Sequence, residues 1–135
     1  MTTELWRAHF ILYVLEQGRS RAFYEAALGI APSLDVPGMT EFPLPGGAVL
    51  GLMPEAGIRR LLGAALEGLP SVKGGPRAEL YLVVEEPETA YARALCAGAR
   101  PLSPVAPRDW GHAAGYCLDP DGHVVAFARE LARGG

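Results

Sequence analysis

The sequence predicts an α+β fold made of two tandem βαβββ modules. Short apolar segments rich in β-branched and aromatic residues alternate with helical segments in the order strand, helix, three strands, and this order occurs twice. Both predicted helices also end in the pattern Gly-x-x-Pro, at residues 29–32 and again at residues 98–101. Gly and Pro are common at helix ends, so the repeated order of elements is the stronger observation. Together the two observations indicate a duplicated unit.

Module one is expected at about residues 5–54. After its first strand, the segment from Ser20 to Leu28 has the apolar spacing of a helix, with Ser20 as a suitable N-cap and Gly29 at the C-terminal end. Turn sequences such as Pro45-Gly46-Gly47 separate the three strands that come after it. The strands of module one are predicted at residues 9–14, 33–36, 40–44 and 48–53.

A connector at about residues 55–76 separates the two modules. Apolar residues at helical spacing from Ile58 to Leu66 predict a short amphipathic helix, and Lys73-Gly74-Gly75-Pro76 predicts a flexible link after it. Module two, at about residues 77–132, has its helix at residues 87–97. Its strands are predicted at residues 78–84, 100–104, 113–118 and 123–128. We expect the modules and the connector to form a single domain over residues 1–135.

Composition and charge exclude several classes of protein. Half of the residues are hydrophobic and 20% are charged, which is typical of a globular domain. The net charge is −3 with acids and bases interspersed, so the chain lacks the basic surface that nucleic-acid binding requires. The longest apolar run, Phe10 to Leu15, is too short to span a bilayer, and the first residues lack the pattern of a signal peptide. We therefore expect a cytoplasmic protein that binds neither nucleic acid nor membrane.

The chain has two cysteines, Cys96 and Cys117, whose spacing matches no zinc or redox motif. Without a secretory signal they are expected to be reduced thiols that pack in apolar surroundings. Cys117 lies in a late strand of module two, from which its side chain can reach a cavity.

Three segments carry a resemblance to a known family. The first is His9 through Gly29, which contains Ser20-x-x-Phe23-Tyr24-x-x-x-Leu28-Gly29, and the second is Gly46-Gly47-Ala48-Val49-Leu50-Gly51-Leu52. The third is Asp109-Trp110-Gly111-His112 with Asp119-Pro120-Asp121-Gly122-His123 after it. The last turn is the most specific, because Pro120 suits the second position of a β-turn and Asp121-Gly122 suits the third and fourth. With these segments the chain resembles the vicinal oxygen chelate superfamily, which includes glyoxalase I, extradiol dioxygenases and bleomycin resistance proteins.

This resemblance implies a fold and a site. Paired βαβββ modules in that family curl into a cupped, partly open mixed β-sheet with flanking helices, usually completed across a homodimer. Members that use a metal place His, Gln or Glu ligands on the first and last strands of each module. The equivalent positions here are His9, Gly51, Glu79 and Ala126. Because Gly51 and Ala126 have no donor atoms, we expect no cofactor and no tight metal site, although His9 and Glu79 can still hold a divalent metal weakly.

Strand alternation agrees with this placement. Residues two apart on a strand share a face, so His9 and Tyr13 lie on one face of the first strand and Phe10 on the other. In the same way Glu79 and Tyr81 lie opposite the apolar residues of their strand. We expect the all-apolar faces to pack on helices and the faces with His9 and Glu79 to line the cup.

His9 and Glu79 are the candidate catalytic residues. A carboxylate at the start of an apolar strand is costly to bury unless it is paired or protonated. If Glu79 is buried near His9, it orients the imidazole and forms an acid–base pair that needs no metal. The alternatives are that Glu79 is exposed at the strand entrance and that His9 is a structural or edge histidine.

Seven further residues are candidates for ligand binding, because they are predicted in the cup or on a loop at its rim. They are Tyr13, Val49, Met53, Tyr81, Trp110, His112 and Val124. For the tyrosines, core packing is an equal alternative. For Trp110 and His112, the alternative is that they anchor their loop. His123 is expected only to end the turn before the last strand.

Binding of a small organic molecule in the cup, without a complete metal site, is the function that this pattern favours. The alternative is a lyase, isomerase or dioxygenase-like enzyme that uses His9 and Glu79, with or without a divalent metal and with His112 as a candidate third ligand. A regulatory module whose cavity is filled by its own side chains is the remaining hypothesis. Fold-level resemblance does not choose between them, because one fold supports unrelated activities.

Overall fold

The computed structural model of the protein describes residues 5–66 and 78–132. Its elements, in chain order, are β1 His9–Val14, α1 Gln17–Leu28, β2 Leu34–Val36, β3 Met39–Pro43, β4 Val49–Pro54, α2 Glu55–Leu66, β5 Glu79–Val83, α3 Pro87–Cys96, β6 Arg100–Pro107, β7 His112–Leu118 and β8 Val124–Glu130. A single turn of 3₁₀-helix, Pro45–Gly47, joins β3 to β4. The predicted order, βαβββ twice with a helix between, is confirmed.

The strands form two four-stranded mixed sheets with the same topology. The first has the order β1-β4-β3-β2 and the second the order β5-β8-β7-β6. In each, the first and last strands of the module pair in parallel, and the other neighbours are antiparallel. The α+β fold class and the tandem modules are therefore confirmed.

The described residues group into two compact units. The first unit contains residues up to Glu25 and from Ile30 to Leu66, and the second contains Ala26–Gly29 and everything from Ala78 onward. Each unit holds one of the sheets, so the units correspond closely to the predicted modules. The predicted flexible link Lys73-Gly74-Gly75-Pro76 lies outside the described residues. That the whole chain is a single domain stays a prediction.

In the first unit, α1 covers one face of the sheet. Tyr24 lies with its ring centroid 6.4 Å from that of Phe42 in β3, and both side chains are fully buried. Phe23 meets the Tyr24 ring edge-on at 4.9 Å. Val14, Leu50 and Leu52 complete this buried face. The prediction that the even-numbered face of β1 and its neighbours packs on a helix is confirmed at these residues, although Phe10 at the start of β1 stays exposed.

In the second unit, α3 packs closely against β7. A Cβ atom added to Gly115 would lie 2.7 Å from Cγ2 of Val105 and 3.1 Å from Cδ2 of Tyr91. Only a residue without a side chain allows β6 and α3 to approach the strand this closely. Val125 and Phe127 of β8 are buried on the same face.

Helix α1 begins earlier than predicted. It starts at Gln17, and Ser20 is a buried residue inside the helix whose backbone N–H donates to Glu16 O. The Gln17 side chain explains the earlier start, because it donates to Val36 O and to Thr40 Oγ1. These contacts with β2 and β3 stabilise the extra turn, so the interpretation of Ser20 as the N-cap is wrong.

Cys117 does not lie on the face that was predicted to line a cavity. It pairs with Val125, and its Sγ lies 3.5 Å from Val125 O on the face covered by α3. Burial raises the pKa of the Cys117 thiol to about 11, and the carboxylate of Asp119 adds to the increase. Cys96 is exposed, and both cysteines are free thiols.

The turn before β8 has the predicted shape. Gly122 has a φ of 89° and its N–H donates to Asp119 O at 3.1 Å. The buried carboxylate of Asp119 accepts from the backbone N–H groups of Asp121 and His123 and lies 2.9 Å from His123 Nδ1. His123 is therefore held in the turn, as expected. In the described part of the chain no helix is long and apolar enough to cross a bilayer.

Candidate functional site

The first sheet has one covered face and one open face. Residues at alternate positions of β1 share the open face, and Ile11 and Tyr13 there are 41% and 47% exposed. Ile11 pairs with Gly51 in β4, Gly51 pairs with Glu41 in β3, and Glu41 pairs with Leu34 in β2. Val36, the next residue of β2 on the same face as Leu34, is 46% exposed. These residues share one face of the sheet, on which exposed apolar side chains flank Gly51 and Glu41, and we call it the open face of the first unit.

Glu41 supplies a carboxylate to this open face. Its Oε2 lies 3.4 Å from Nδ1 of His9, and the two side chains are only 21% and 27% exposed. His9 begins β1 and Glu41 lies in the middle of β3, so the pair exists only because β4 brings both strands into register. Glu41 was not predicted as a site residue from the sequence. A carboxylate at residue 41, within the short strand from Met39 to Pro43, is the signal that could have indicated it.

The hydrogen bonds around His9 define its tautomer. Arg7 Nε is a donor without a lone pair and lies 2.9 Å from His9 Nε2, so Nε2 accepts. The ring proton is then on Nδ1, which faces the Glu41 carboxylate. The His9 imidazole is therefore held between Arg7 and the Glu41 carboxylate, and the hydrogen bond from Arg7 occupies the lone pair of Nε2.

The open face of the second unit carries a chain of hydrogen bonds. Trp110 Nε1 donates to Tyr81 Oη at 2.9 Å, and Tyr81 Oη lies 2.7 Å from His112 Nδ1. Because indole N–H can only donate, the tyrosine hydroxyl accepts from Trp110, whereas the direction of its hydrogen bond with His112 depends on the tautomer of the imidazole. The Tyr81 and His112 rings are also stacked, with centroids 5.8 Å apart. Trp110 is 55% exposed, so this chain of hydrogen bonds ends at the surface.

Arg108 and Tyr116 lie on the same sheet. The Arg108 guanidinium is 5.2 Å from the centre of the Tyr116 ring and donates to Ala114 O, Ser103 Oγ and Pro104 O. Burial raises the pKa of Tyr116, and the negative charge of Glu79 and the Tyr81 hydroxyl raise it further, while Arg108 lowers it. Arg108 and Tyr116 were also not predicted from the sequence.

Small residues lie between these aromatic side chains. Tyr81 in β5 and Tyr116 in β7 both pair with Ala126 in β8, which is fully buried. Ala114 and Ala128 are fully buried beside it. Val124, which was predicted to line the cup, is half-buried and pairs with Glu79.

The predicted site residues thus divide between the units. The first unit holds His9, Tyr13, Val49 and Met53, and the second holds Glu79, Tyr81, Trp110, His112 and Val124. Tyr81, Trp110 and His112 are brought together directly. His9 lies against Glu41, and exposed Glu79 is close enough to Tyr116 to affect its pKa. The catalytic pairing of His9 with Glu79 stays a prediction.

A family model, the Glyoxalase/Bleomycin resistance protein/Dioxygenase superfamily, matches residues 6–127. The chain belongs to this superfamily. No curated protein matches its sequence significantly.

Solved structures of superfamily proteins share the fold. A glyoxalase-related enzyme from Fulvimarina pelagi has a TM-score of 0.76 at 24% identity, over 91% of this chain and 86% of that one. A glyoxalase/bleomycin resistance protein/dioxygenase from Nocardioides has a TM-score of 0.70 at 24% identity, over 99% and 89%. A family enzyme from Burkholderia phytofirmans has a TM-score of 0.73 at 18% identity, over 93% and 97%. At these identities the likeness concerns the fold alone.

The residues at the superfamily's metal positions do not fit a metal centre. A Cβ atom on Gly51 would lie 3.1 Å from Cγ1 of Ile11 and 3.3 Å from Sδ of Met39. These side chains therefore occupy the space that a metal-ligating side chain at position 51 would need. Ala126 is buried and has no donor. Glu41 adds one oxygen donor beside His9, but the described residues contain no group of three or more His, Cys, Asp and Glu side chains suited to a metal. That the chain lacks a tight metal site stays a prediction.

Proposed function

We propose that this superfamily member binds a small amphipathic organic molecule on the open face of its first unit. One observation carries the proposal: on one side of the first sheet several large apolar side chains stay 38–47% exposed, while the other side, apart from Phe10, packs under α1. Single exposed apolar residues are normal, but several on one sheet face are typical of a binding surface.

The His9–Glu41 pair supports a ligand with polar groups. Binding sites for small molecules are mostly apolar, with a few polar side chains that set the ligand's orientation. The pair lies among Ile11, Val49 and Leu34, so it offers a carboxylate and an imidazole to a ligand that otherwise makes apolar contacts. A ligand on this face replaces water around both apolar and polar groups.

The second unit offers a separate set of contacts. The hydrogen bonds from Trp110 to Tyr81 and from Tyr81 to His112 hold three side chains in position before any ligand binds. Pre-organised aromatic groups lose little conformational entropy on binding. With Nδ1 of His112 already bonded to Tyr81, Nε2 is the ring nitrogen that can hydrogen-bond to a polar group of a ligand.

Fluorescence of a neutral apolar dye, phenylnaphthylamine, tests the open face. Ile11→Ser removes apolar area from this face, and Phe10→Ser is the matched control, because Phe10 is the next residue, is 61% exposed and lies on the opposite face. We expect Ile11→Ser to weaken dye binding about tenfold and Phe10→Ser to leave it unchanged, since burying an isoleucine side chain is worth about 1.5–3 kcal/mol. Equal effects of both substitutions would contradict the proposal.

An isomerase- or lyase-like activity is the second candidate, and the His9 imidazole beside the Glu41 carboxylate favours it. To remove a proton next to a carbonyl group, Nε2 of His9 must first lose its hydrogen bond from Arg7. NMR in heavy water, with a panel of hydroxyketones and ketoacids, detects such exchange. Exchange that is present in the wild type and absent in His9→Gln and Glu41→Gln supports catalysis. Exchange that survives both substitutions rules out this pair as the base.

A homodimer in the cytoplasm is the assembly and location that we infer from family membership. Each module leaves sheet edges that a second copy can cover. Sedimentation at micromolar concentration tests the dimer. A dimer that dissociates in Ile11→Ser but not in Phe10→Ser would assign the open face to a second copy of the chain and overturn the small-molecule proposal.

A further inference from the structure

A cavity of about 340 Å³, wide open to solvent, lies beside the open face of the first unit. Its lining residues are Gly38, Met53, Gly57, Arg60 and Leu61. Met53 is in β4 two residues beyond Gly51, so it belongs both to the open face and to the cavity. The volume is within the range of pockets that hold small ligands. The other lining residues come from α2 and from the turn between β2 and β3.

Arg60 is a cation without a partner among the described residues. Its helix neighbours three and four positions away are Ala56, Gly57, Gly63 and Ala64, none of which carries a charge. The adjacent Arg59 differs, because it pairs with Glu55 at 3.5 Å. Apart from Arg60, the lining residues are apolar or glycine. Among the described residues, the lining therefore offers one positive charge, on the exposed side chain of Arg60, beside apolar and glycine residues.

We propose that this cavity binds the anionic end of the ligand, so that the ligand class is an amphipathic carboxylate or sulfonate. The Arg60 guanidinium meets the anion, and Met53 and Leu61 contact the carbon atoms next to it. The inference rests on the proposed function, because the apolar remainder of the molecule lies on the open face. Charge complementarity selects an anion, since a cation would meet Arg60 with no acid in the lining to compensate.

The register of the strands gives the length of such a ligand. Met53 pairs with Tyr13 at the cavity end, and Val49 pairs with His9 at the other. Four residues of extended strand separate the two pairs, which is about 13 Å. A ligand that reaches from the cavity to the His9–Glu41 pair thus has an anion at one end, an apolar body, and a hydrogen-bonding group at the other.

Two dyes that differ in charge test the inference on the full-length protein. Anilinonaphthalene sulfonate is an amphipathic anion, and phenylnaphthylamine is its neutral counterpart. Arg60→Gln removes the charge in the cavity, and Arg59→Gln is the control on the neighbouring residue. We expect Arg60→Gln to weaken the anionic dye about fivefold, as for a partly solvated ion pair, and to leave the neutral dye unchanged. Arg59→Gln changes neither, and Arg60→Lys retains most of the anion's affinity.

A second pair of variants tests the cavity itself. Gly57 lines the cavity, and a Cβ atom there lies 3.9 Å from Cγ of Met53, so Gly57→Leu places a side chain in part of it. Gly63 in the same helix has open space around it. We expect Gly57→Leu to weaken the anionic dye at least tenfold and Gly63→Leu to leave it unchanged. Both substitutions favour the helix, so neither is expected to unfold the protein.

The outcomes separate the inference from the proposed function. If Ile11→Ser and Gly57→Leu weaken both dyes but Arg60→Gln acts like Arg59→Gln, the anion assignment is wrong and the binding function stands. If Gly57→Leu acts like Gly63→Leu, the cavity is not the site. If neither dye binds the wild type, the proposed function fails together with the inference.

Discussion

The two units share a topology but differ in what their open faces present. In the first unit Ile11, Tyr13 and Val36 are large, apolar and exposed. In the second, the central residues Ala126, Ala114 and Ala128 are small and buried, although Val83 and Trp110 stay exposed. Tyr81 already hydrogen-bonds to Trp110 and His112, and Arg108 to Ser103. The same arrangement of strands thus leaves apolar side chains exposed to a ligand in the first unit. In the second unit the polar side chains are already hydrogen-bonded within the protein. The first unit is suited to gaining contacts from a ligand, and the second to holding a rigid shape.

The covered faces differ in a related way. In the first unit the contact between α1 and the sheet is made by large rings, Tyr24 and Phe42. In the second unit the sheet meets α3 at Gly115, where backbone and side chains approach too closely for a Cβ atom. Side chains can adjust to a substitution more easily than backbone can, so the second unit is expected to tolerate fewer changes.

The largest expected effect is at Gly115. Gly115→Ala places a methyl group 3.0 Å from Val105 N, a backbone atom, and we expect a loss of about 3 kcal/mol in the free energy of unfolding. Gly51→Ala is the matched substitution in the first sheet, where the close atoms belong to the side chains of Ile11 and Met39 and can move, so a loss under about 1 kcal/mol is expected. Urea denaturation measures both. Equal losses would show that the two sheets are packed alike around these glycines.

The next effect is a dependence of stability on pH that arises in the second unit. Burial raises the pKa of Cys117 from 9.0 to about 11. Between these values the unfolded thiol loses its proton while the folded thiol keeps it, so stability is full below pH 9 and falls as the pH rises to about 11. Compared with Cys117→Ala, the wild type should lose about 2 kcal/mol over this interval.

Urea denaturation of both proteins at several pH values measures this difference. Comparison with Cys117→Ala removes the contribution of other groups that titrate in the same range. A constant difference between the two proteins from about pH 8 to about pH 11 would mean that the thiol is not buried in solution. Cys96→Ala is the control, since its thiol is exposed and the substitution should leave the profile unchanged.

Local patterns in the sequence predicted the fold well. Three features were predicted: the order of strands and helices along the chain, the approximate helix positions, and the face on which His9 and Tyr13 lie. Each depends on periodicity within a single element, which involves neighbouring residues only. The start of α1 differs from the prediction because the Gln17 side chain bonds to β2 and β3, far along the chain. A contact of that kind has no local signature.

The site was predicted less completely for the same reason. The sequence indicates Tyr81, Trp110 and His112 singly, and the hydrogen bonds that join them depend on where the β6–β7 connection meets β5. Glu41 became the partner of His9 through the register of three strands. Register between strands is a long-range property that the sequence does not reveal. The prediction therefore relied on the positions of metal ligands in the superfamily, which indicate Glu79 and Gly51 and do not include Glu41.

A smaller effect is expected from removing one hydroxyl in each unit. Tyr81→Phe breaks the hydrogen bonds to Trp110 and His112, and we expect a loss of about 1 kcal/mol in stability, limited by water that can reach Trp110. Tyr13→Phe, on the open face of the first unit, should change stability by less than about 0.5 kcal/mol, because exposed substitutions rarely do more. Chemical denaturation measures both. A similar small change for each would mean that the second unit's hydrogen bonds are not held in solution.

The smallest expected effect is the coupling between His9 and Glu41. The pair is separated by 3.4 Å and is partly exposed, so a double-mutant cycle with His9→Gln and Glu41→Gln should give about 0.5 kcal/mol at neutral pH. Removing Arg7 should change this coupling, since Arg7 holds the ring proton on Nδ1, where it faces the carboxylate. A parallel cycle with His9→Gln and Glu79→Gln tests the pairing that family positions imply. If only the cycle with Glu41 shows coupling, the partner of His9 is Glu41, a residue of the same unit. If only the cycle with Glu79 does, the register-based assignment of Glu41 is wrong and His9 acts with a residue of the second unit.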